Sequence, residues 1–269
     1  MKYQKAVENI RKELKQYLMQ HHLESLILGI SGGIDSAICV ALAQPVCENL
    51  KIKFIGRSLP IQTNKDEEIS RAKAIGNAFN LDFKEVDLTK AYLNLSSEIH
   101  EDGIETEMDK KIREGNIKVR VRMVAIYNLA KLHNGMVLST DNWTELMLGF
   151  WTLHGDVGDY GMIQNLDKTE VYELSEYLVS DLKNTGEEAK AMALQDCIDA
   201  IPTDGLGITN SDLDQIQAES YQEVDEILHS FIDKRDNRFK DHPVVLRHER
   251  THFKRNNPIS IPRSKIFDE

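Results

Sequence analysis

Ser31-Gly32-Gly33-Ile34-Asp35-Ser36 sets two hydroxyls and a glycine pair around one carboxylate, directly after the apolar run Leu26-Ile27-Leu28-Gly29-Ile30. The apolar run, the glycines and the Ala-rich stretch from Ala37 to Ala43 predict a strand, a tight loop and a helix start. That combination aims backbone N–H groups and a helix N-terminus at one point, which binds phosphate. It is not a Walker A loop, because Asp35 stands where G-x-x-x-x-G-K-[ST] requires a lysine. A carboxylate beside phosphates calls for a divalent cation between them, so Asp35 is a candidate metal ligand.

A second carboxylate comes from Ser139-Thr140-Asp141-Asn142-Trp143-Thr144-Glu145, at the end of another predicted strand. Thr140 offers a hydroxyl to a phosphate or an adenine edge. Glu145, five residues on, starts a helix and can share a magnesium ion with Asp35. Taken alone, the segment is an N-cap at Thr140 or Asp141 with a first-turn acid at Glu145. In Gly115-Asn116-Ile117-Lys118-Val119-Arg120-Val121-Arg122-Met123, Asn116 caps or precedes a helix. Arg120 and Arg122, two residues apart, point to different faces, so one can meet an acidic ligand while the other meets protein or solvent.

The S-G-G-x-D-S loop resembles the signature of the N-type ATP pyrophosphatases, which split ATP between its α- and β-phosphates and hand AMP to an acceptor oxygen. The 115–123 segment is similar to G-N-[IV]-K-A-R-x-R-M, and 139–149 to [GS]-T-[DS]-x-x-E-x-x-x-G; both are stretches of the NAD synthetases. The motifs run in the family's order over roughly residues 20 to 256. The resemblance implies ATP contacts at Gly29, Ile30, Ser31, Gly32, Gly33, Ile34, Asp35 and Ser36, and at Arg57, Thr140, Lys168 and Thr203. It implies Mg2+ on Asp35 and Glu145, with Asp35, Glu145 and Lys168 as the catalytic set. Deamido-NAD would be held by Arg120, His154, Asp159, Phe253 and Lys254.

The chain departs from that pattern at 152–159. Where the family reads T-K-[FY]-G-D-G-G-A-D, Leu153 replaces the substrate lysine, and Asp159 matches the last Asp with the loop one residue shorter. His154 is the nearest candidate cation, although an imidazole is a weaker and pH-dependent one. Pro202-Thr203 resembles the start of the family's P-T-A-D-L. His252-Phe253-Lys254-Arg255 resembles its closing H-K-R or Y-K-R, placing Phe253 against an aromatic ring and Lys254 against negative charge.

The implied activity is that of a C–N-forming ligase. The nicotinate carboxylate of deamido-NAD attacks the α-phosphorus of ATP, pyrophosphate leaves, and ammonia displaces AMP to give NAD. A chain of 269 residues leaves no room for a glutaminase domain, which points to the ammonia-dependent form. The family implies a homodimer with the dinucleotide at the subunit interface. Two other readings stay open: a related pyrophosphatase amidating a different carboxylate, motivated by Leu153, and a non-catalytic nucleotide-binding homologue. The presence of both Asp35 and Glu145 counts against the latter.

Positioning these residues requires a fold that brings strand ends together. Strand candidates at 26–30, 52–57, 83–87 and 135–139 alternate with helices near 36–48, 65–79, 117–133 and 168–181. This spacing predicts a doubly wound parallel α/β sheet with helices on both faces and sites at the carboxyl ends of the strands, and the resemblance implies that it is of the adenine-nucleotide α-hydrolase type. Val7, Ile10, Leu14 and Leu18 make residues 1–22 an amphipathic helix. Residues 184–200 and 211–240 read as helical, and Pro243, Pro258 and Pro262 predict an irregular tail from about 241, the whole chain forming one domain. A net charge of −11 argues against nucleic acid or anionic membrane as partner. The charged N-terminus lacks a signal-peptide apolar region, and no apolar run reaches membrane-spanning length, so a cytoplasmic protein is expected. Cys39, Cys47 and Cys197 lack C-x-x-C spacing and suggest neither zinc nor disulfides.

Overall fold

The structure, a computed structural model, describes residues 1–62, 64–201 and 212–267. Strands β1 (Ser25–Gly29), β2 (Lys53–Ser58), β3 (Asp82–Glu85), β4 (Gly135–Ser139) and β5 (Tyr160–Gly161) form one parallel sheet in the order β3-β2-β1-β4-β5. The chain steps outward from β1 to β2 and β3, then returns to β1's other edge for β4. The order therefore reverses between β1 and β4, and a crevice opens beyond their carboxyl ends.

The helices that matter for the site are α1 (Lys2–Gln20), α2 (Ile34–Leu50), α3 (Asp66–Ala78), α4 (Thr89–Glu98), α5 (Glu107–Leu132), α6 (Trp143–Leu148) and α7 (Lys168–Asn184). After them come α8 (Glu188–Ile198), α9 (Asp212–Ile216), α10 (Tyr221–Ile232), α11 (Pro243–Arg250), α12 (His252–Arg255) and α13 (Arg263–Ile266). No described helix is long and apolar enough to cross a membrane.

Strand side chains alternate between faces, and a parallel sheet needs both covered. Leu26, Leu28, Phe54, Met136 and Leu138 join the larger core with α1, α2, α7 and α8. Ile27, Ile55 and Val137 meet Ile126 and Ala130 of α5 on the other side. Helix α2 is almost wholly buried and contains Pro45, which has no N–H to give the Ala41 carbonyl. Arg11 of α1 supplies the missing donor, bonding the carbonyls of Ala41 at 3.1 Å and Leu42 at 3.3 Å. A separate apolar cluster joins Leu148 of α6 to Ile216, Val224, Ile227, Leu228, Val244 and Val245 of α9, α10 and α11. The C-terminal helices thus fold over α6, one of the segments that carries chemistry.

The doubly wound sheet matches the sequence reading, with three differences. Helix α5 starts at Glu107, not 117, because Thr106 accepts from the Asp109 N–H at 3.1 Å and caps a polar first turn that shows no apolar period. Gly115 and Asn116 consequently lie inside the helix, and Asn116 is not a cap. Helix α4 and the two-residue β5 were not foreseen. The tail expected to be irregular from about 241 stays helical to Arg255, because Pro243 sits at the first position of α11, where its missing N–H costs nothing.

Candidate active site

The β1–α2 loop is built around Gly32. Its φ is +83°, and a Cβ there would lie 2.2 Å from the Glu68 carbonyl oxygen of α3, so a side chain has neither the conformation nor the space. Arg71 of α3 donates to the Gly32 carbonyl at 2.9 Å and fixes the approach. The serines wind the loop on itself: Gly33 N–H donates to Ser31 Oγ at 3.2 Å, and Ser36 Oγ donates to the Gly33 carbonyl at 3.0 Å. Among the described residues no side chain caps α2, so its first N–H groups are available to an anion.

Across the switch point, β4 ends at Ser139 and Asn142 starts α6. Asn142 Oδ1 accepts from the Glu145 N–H at 3.0 Å, Glu145 Oε2 accepts from the Asn142 N–H at 3.4 Å, and the two form a capping box. Asn142 Nδ2 also donates to Asp35 Oδ1 at 2.9 Å, tying the start of α6 to the start of α2.

Lys168, the first residue of α7, donates to Asp35 Oδ2 at 2.6 Å and to Glu145 Oε1 at 2.8 Å. Its side chain is only 2% exposed, against 19% for Asp35 and 17% for Glu145. Burial opposes the charge on Lys168, but the two carboxylates outweigh it and hold its pKa well above the ordinary lysine value. A third acid, Asp141, is buried at the same strand end and accepts from Ser139 Oγ at 2.8 Å. Burial, then the charges of Asp156, Glu145 and Asp35, push its carboxyl well above the usual range.

Asp35, Glu145 and Lys168, expected from the sequence to work together, are thus in direct contact. Two carboxylates converging on one cation beside the Ser31–Ser36 loop are the oxygen donors that a hard divalent ion takes together with substrate phosphates. Among the described residues no group of three or more His, Cys, Asp or Glu is arranged to hold a metal.

The remaining expected residues are dispersed. Thr140 is half-buried, directly beyond β4. Arg57 does not face the crevice: its guanidinium donates to the carbonyls of Gly56 and Asp82 and pairs with the Asp82 carboxylate at 3.3 Å, stitching β2 to β3. Arg120 and Arg122 do take opposite faces of α5. Arg120 is exposed and donates from Nε and Nη2 to the Leu153 carbonyl at 3.2 and 3.1 Å, while Arg122 turns inward to the Leu59 carbonyl and Asn64. The guanidinium of Arg120 therefore lies beside position 153, where the family pattern has its lysine. His154 is exposed at φ +57°, next to Asn257. Asp159 accepts from Tyr127 Oη at 2.8 Å and the Val137 N–H at 3.0 Å, and so is engaged with α5 and the middle of β4. Phe253 is 47% exposed. Lys254 donates to the carbonyls of Gly149 and Trp151, and burial, aided by Arg247, brings its pKa down to about 8. Thr203 lies outside the described residues.

Asn142 is the cap of α6 and a partner of Asp35 that the sequence reading passed over, having put the cap at Thr140 or Asp141. The Asn142-x-x-Glu145 spacing is itself the capping-box signal.

The sequence profile of NAD synthase matches residues 6–258. The NH(3)-dependent NAD(+) synthetase of Finegoldia magna is 33% identical over 233 residues, covering 85% of each chain. That of Thermoplasma volcanium is 29% identical, covering 96% of this chain and 98% of its own. Among solved structures, the NMN synthetase from Francisella tularensis superposes with a TM-score of 0.78 at 24% identity, covering 97% of this chain and 98% of that one. The NH3-dependent NAD synthetase from Campylobacter jejuni superposes with a TM-score of 0.70 at 22% identity, covering 97% and 100%. These structural likenesses establish a shared fold, and the profile match over nearly the whole chain goes further: the chain belongs to the NAD synthase family.

Proposed function

We propose that the chain is an ammonia-dependent ligase that amidates deamido-NAD to NAD, at the cost of ATP cleaved to AMP and pyrophosphate. The observation that carries this is the Asp35–Lys168–Glu145 cluster at the paired ends of β1 and β4, beside the Ser31–Ser36 loop.

A nicotinate carboxylate and a triphosphate repel one another, so the protein's task is alignment and charge neutralisation. Backbone N–H groups of residues 31–36 and the N-terminus of α2 receive the phosphates, and the Thr140 hydroxyl borders the nucleotide at the end of β4. Asp35 and Glu145 would hold Mg2+, which when bound offsets phosphate charge and polarises the α-phosphorus. Lys168, released from part of its bonding to the two acids, presents its ammonium to the phosphate oxygens. Arg120, at the Leu153 carbonyl, supplies positive charge for the dinucleotide. No side chain needs to act as nucleophile, since the substrate carboxylate attacks and ammonia completes the transfer.

We also propose a homodimer. Helices α4 and α5 pack together yet leave Leu95, Ile99, Ile112 and Val124 exposed, apolar side chains for a second copy to cover.

The test is a set of assays with deamido-NAD, ATP, ammonium and magnesium. NAD and AMP should form in equal amounts with ammonium as nitrogen source. With ammonia withheld, labelled pyrophosphate should exchange into ATP only when deamido-NAD is present. Exchange supported by another carboxylate and not by deamido-NAD would reject the substrate assignment; absence of exchange with any carboxylate would reject the reaction class.

A further inference from the structure

Helix α10 grips the residues on either side of the catalytic pair. Asp225, buried at 4% exposure, accepts from Thr144 Oγ1 at 2.5 Å, from the Thr169 N–H at 3.1 Å and from Thr169 Oγ1 at 2.8 Å. Thr144 Oγ1 in turn accepts from the Lys168 N–H at 2.9 Å. Thr144 precedes Glu145 and Thr169 follows Lys168, so one carboxylate joins the backbones that carry both partners of the ion pair.

One turn further along α10, His229 repeats the pattern. Its ring stacks on Trp143 with centroids 4.3 Å apart and planes 8° apart, and Nε2 meets both oxygens of Asp167 at 3.0 Å. Trp143 precedes Thr144, and Asp167 precedes Lys168. Burial works against a charge on His229, but Asp233 and Asp167 outweigh it and favour the imidazolium, which donates from both nitrogens.

We infer that Asp225 is a positioning residue for the proposed amidation: by bonding Thr144 and Thr169 together it sets the distance and register between Glu145 on α6 and Lys168 on α7. The inference rests on reading Asp35, Glu145 and Lys168 as the catalytic cluster. A helix of six residues such as α6 cannot hold its own orientation by backbone bonding, and β5 between α6 and α7 contributes only two residues. The two elements meet directly in the Lys168 N–H bond to Thr144 Oγ1, and Asp225 locks that junction by bonding Thr144 and Thr169 together. Because three donors converge on this one buried carboxylate, its loss takes that acceptor from Thr144 Oγ1 and from the Thr169 N–H and Oγ1 at the junction.

The experiment compares full-length wild type, Asp225→Asn, Thr169→Val, Glu145→Gln and Asp225→Asn/Glu145→Gln by steady-state kinetics and by the thermal shift that ATP produces as magnesium is titrated. Asp225→Asn should lower kcat about 10- to 100-fold with the KM for deamido-NAD within about twofold, and raise the magnesium needed for a half-maximal shift about fivefold or more. Thr169→Val, which keeps the carboxylate and removes one donor, should move both quantities the same way by about threefold. In the double variant the loss should not exceed that of Glu145→Gln alone, because both changes disable one unit.

A folded Asp225→Asn protein with wild-type kcat and magnesium requirement would overturn the inference, as would additive losses in the double variant. If Asp225→Asn does not fold, Thr169→Val decides: an unchanged magnesium requirement there overturns it. Should deamido-NAD fail as substrate for wild type, the proposed function falls, but the ATP- and magnesium-dependent shift needs no acceptor and still reads Asp225.

Discussion

Asn142 and Asp35 are 107 residues apart in sequence, yet Asn142 Nδ2 lies 2.9 Å from the Asp35 carboxylate, while the other side of the same amide caps the helix bearing Glu145. One side chain therefore aligns the acid of the β1 loop with the acid that follows β4. Replacing Asn142 by Ala should cost about 1 kcal/mol of stability through the lost cap. It should lower kcat by about tenfold, because the carboxylates are no longer held in register. Replacing it by Asp should restore the cap but place a third negative charge against Asp35, so urea unfolding should recover while kcat stays low. Equal recovery of both would separate Asn142 from the site.

Lys168→Met leaves Asp35 and Glu145 facing each other without a counter-charge. In chelator-treated buffer the variant should unfold more readily than wild type by about 3 kcal/mol, the scale for breaking a largely buried ion pair. Magnesium should stabilise the variant more than the wild type, since a divalent ion between the two acids takes over the neutralising role. Urea titrations with and without magnesium check this, and identical magnesium effects on both proteins would contradict it.

Lys254 loses its proton at about 8, below the ordinary lysine value, because burial disfavours its charge. Below that pH both folded and unfolded chains carry the charge, and the folded chain bears the full cost of burying it. Between about 8 and 10.5 the folded chain releases the proton while the unfolded chain keeps it, so this group's contribution to stability rises with pH. Affinity for an anionic dinucleotide should move the opposite way, weakening from pH 7 to pH 9 as the cation is lost. Direct binding of deamido-NAD across this range should show the decline in wild type and not in Lys254→Met; parallel curves would remove Lys254 from the substrate site.

Gly32→Ala forces a positive φ onto a residue with a Cβ and drives that Cβ to 2.2 Å from the Glu68 carbonyl oxygen. The left-handed conformation alone costs about 1 kcal/mol, and the backbone of α3 must shift as well. ATP binding measured calorimetrically should weaken at least tenfold, with a lowered melting temperature. Gly33→Ala, where the added Cβ would lie 3.4 Å from Ser31 Oγ, should be milder on both counts. A reversed order would contradict the loop geometry described above.

Local pattern made much of this protein legible in its sequence. An apolar run followed by Ser31-Gly32-Gly33 determines a strand, a turn and a helix start whatever the rest of the chain does, and the alternation of such units determines a parallel sheet with both faces covered. Asp35 and Glu145 were identifiable because each sits just beyond a strand end, at a helix start whose local chemistry is set by its neighbours, and Lys168 was identifiable only through the family resemblance. Tertiary structure decided how those ends meet. The return of β4 to the free edge of β1, not to β3, brings Asp35 within reach of Asn142 and Lys168. The same packing turned Arg57 toward β3, tied Asp159 to β4, and placed Asp225 of α10 on Thr144 and Thr169. None of these can be read from a window of residues, because a long polar side chain takes whichever partner the fold brings to it, and those partners are 22 to 81 positions away along the chain.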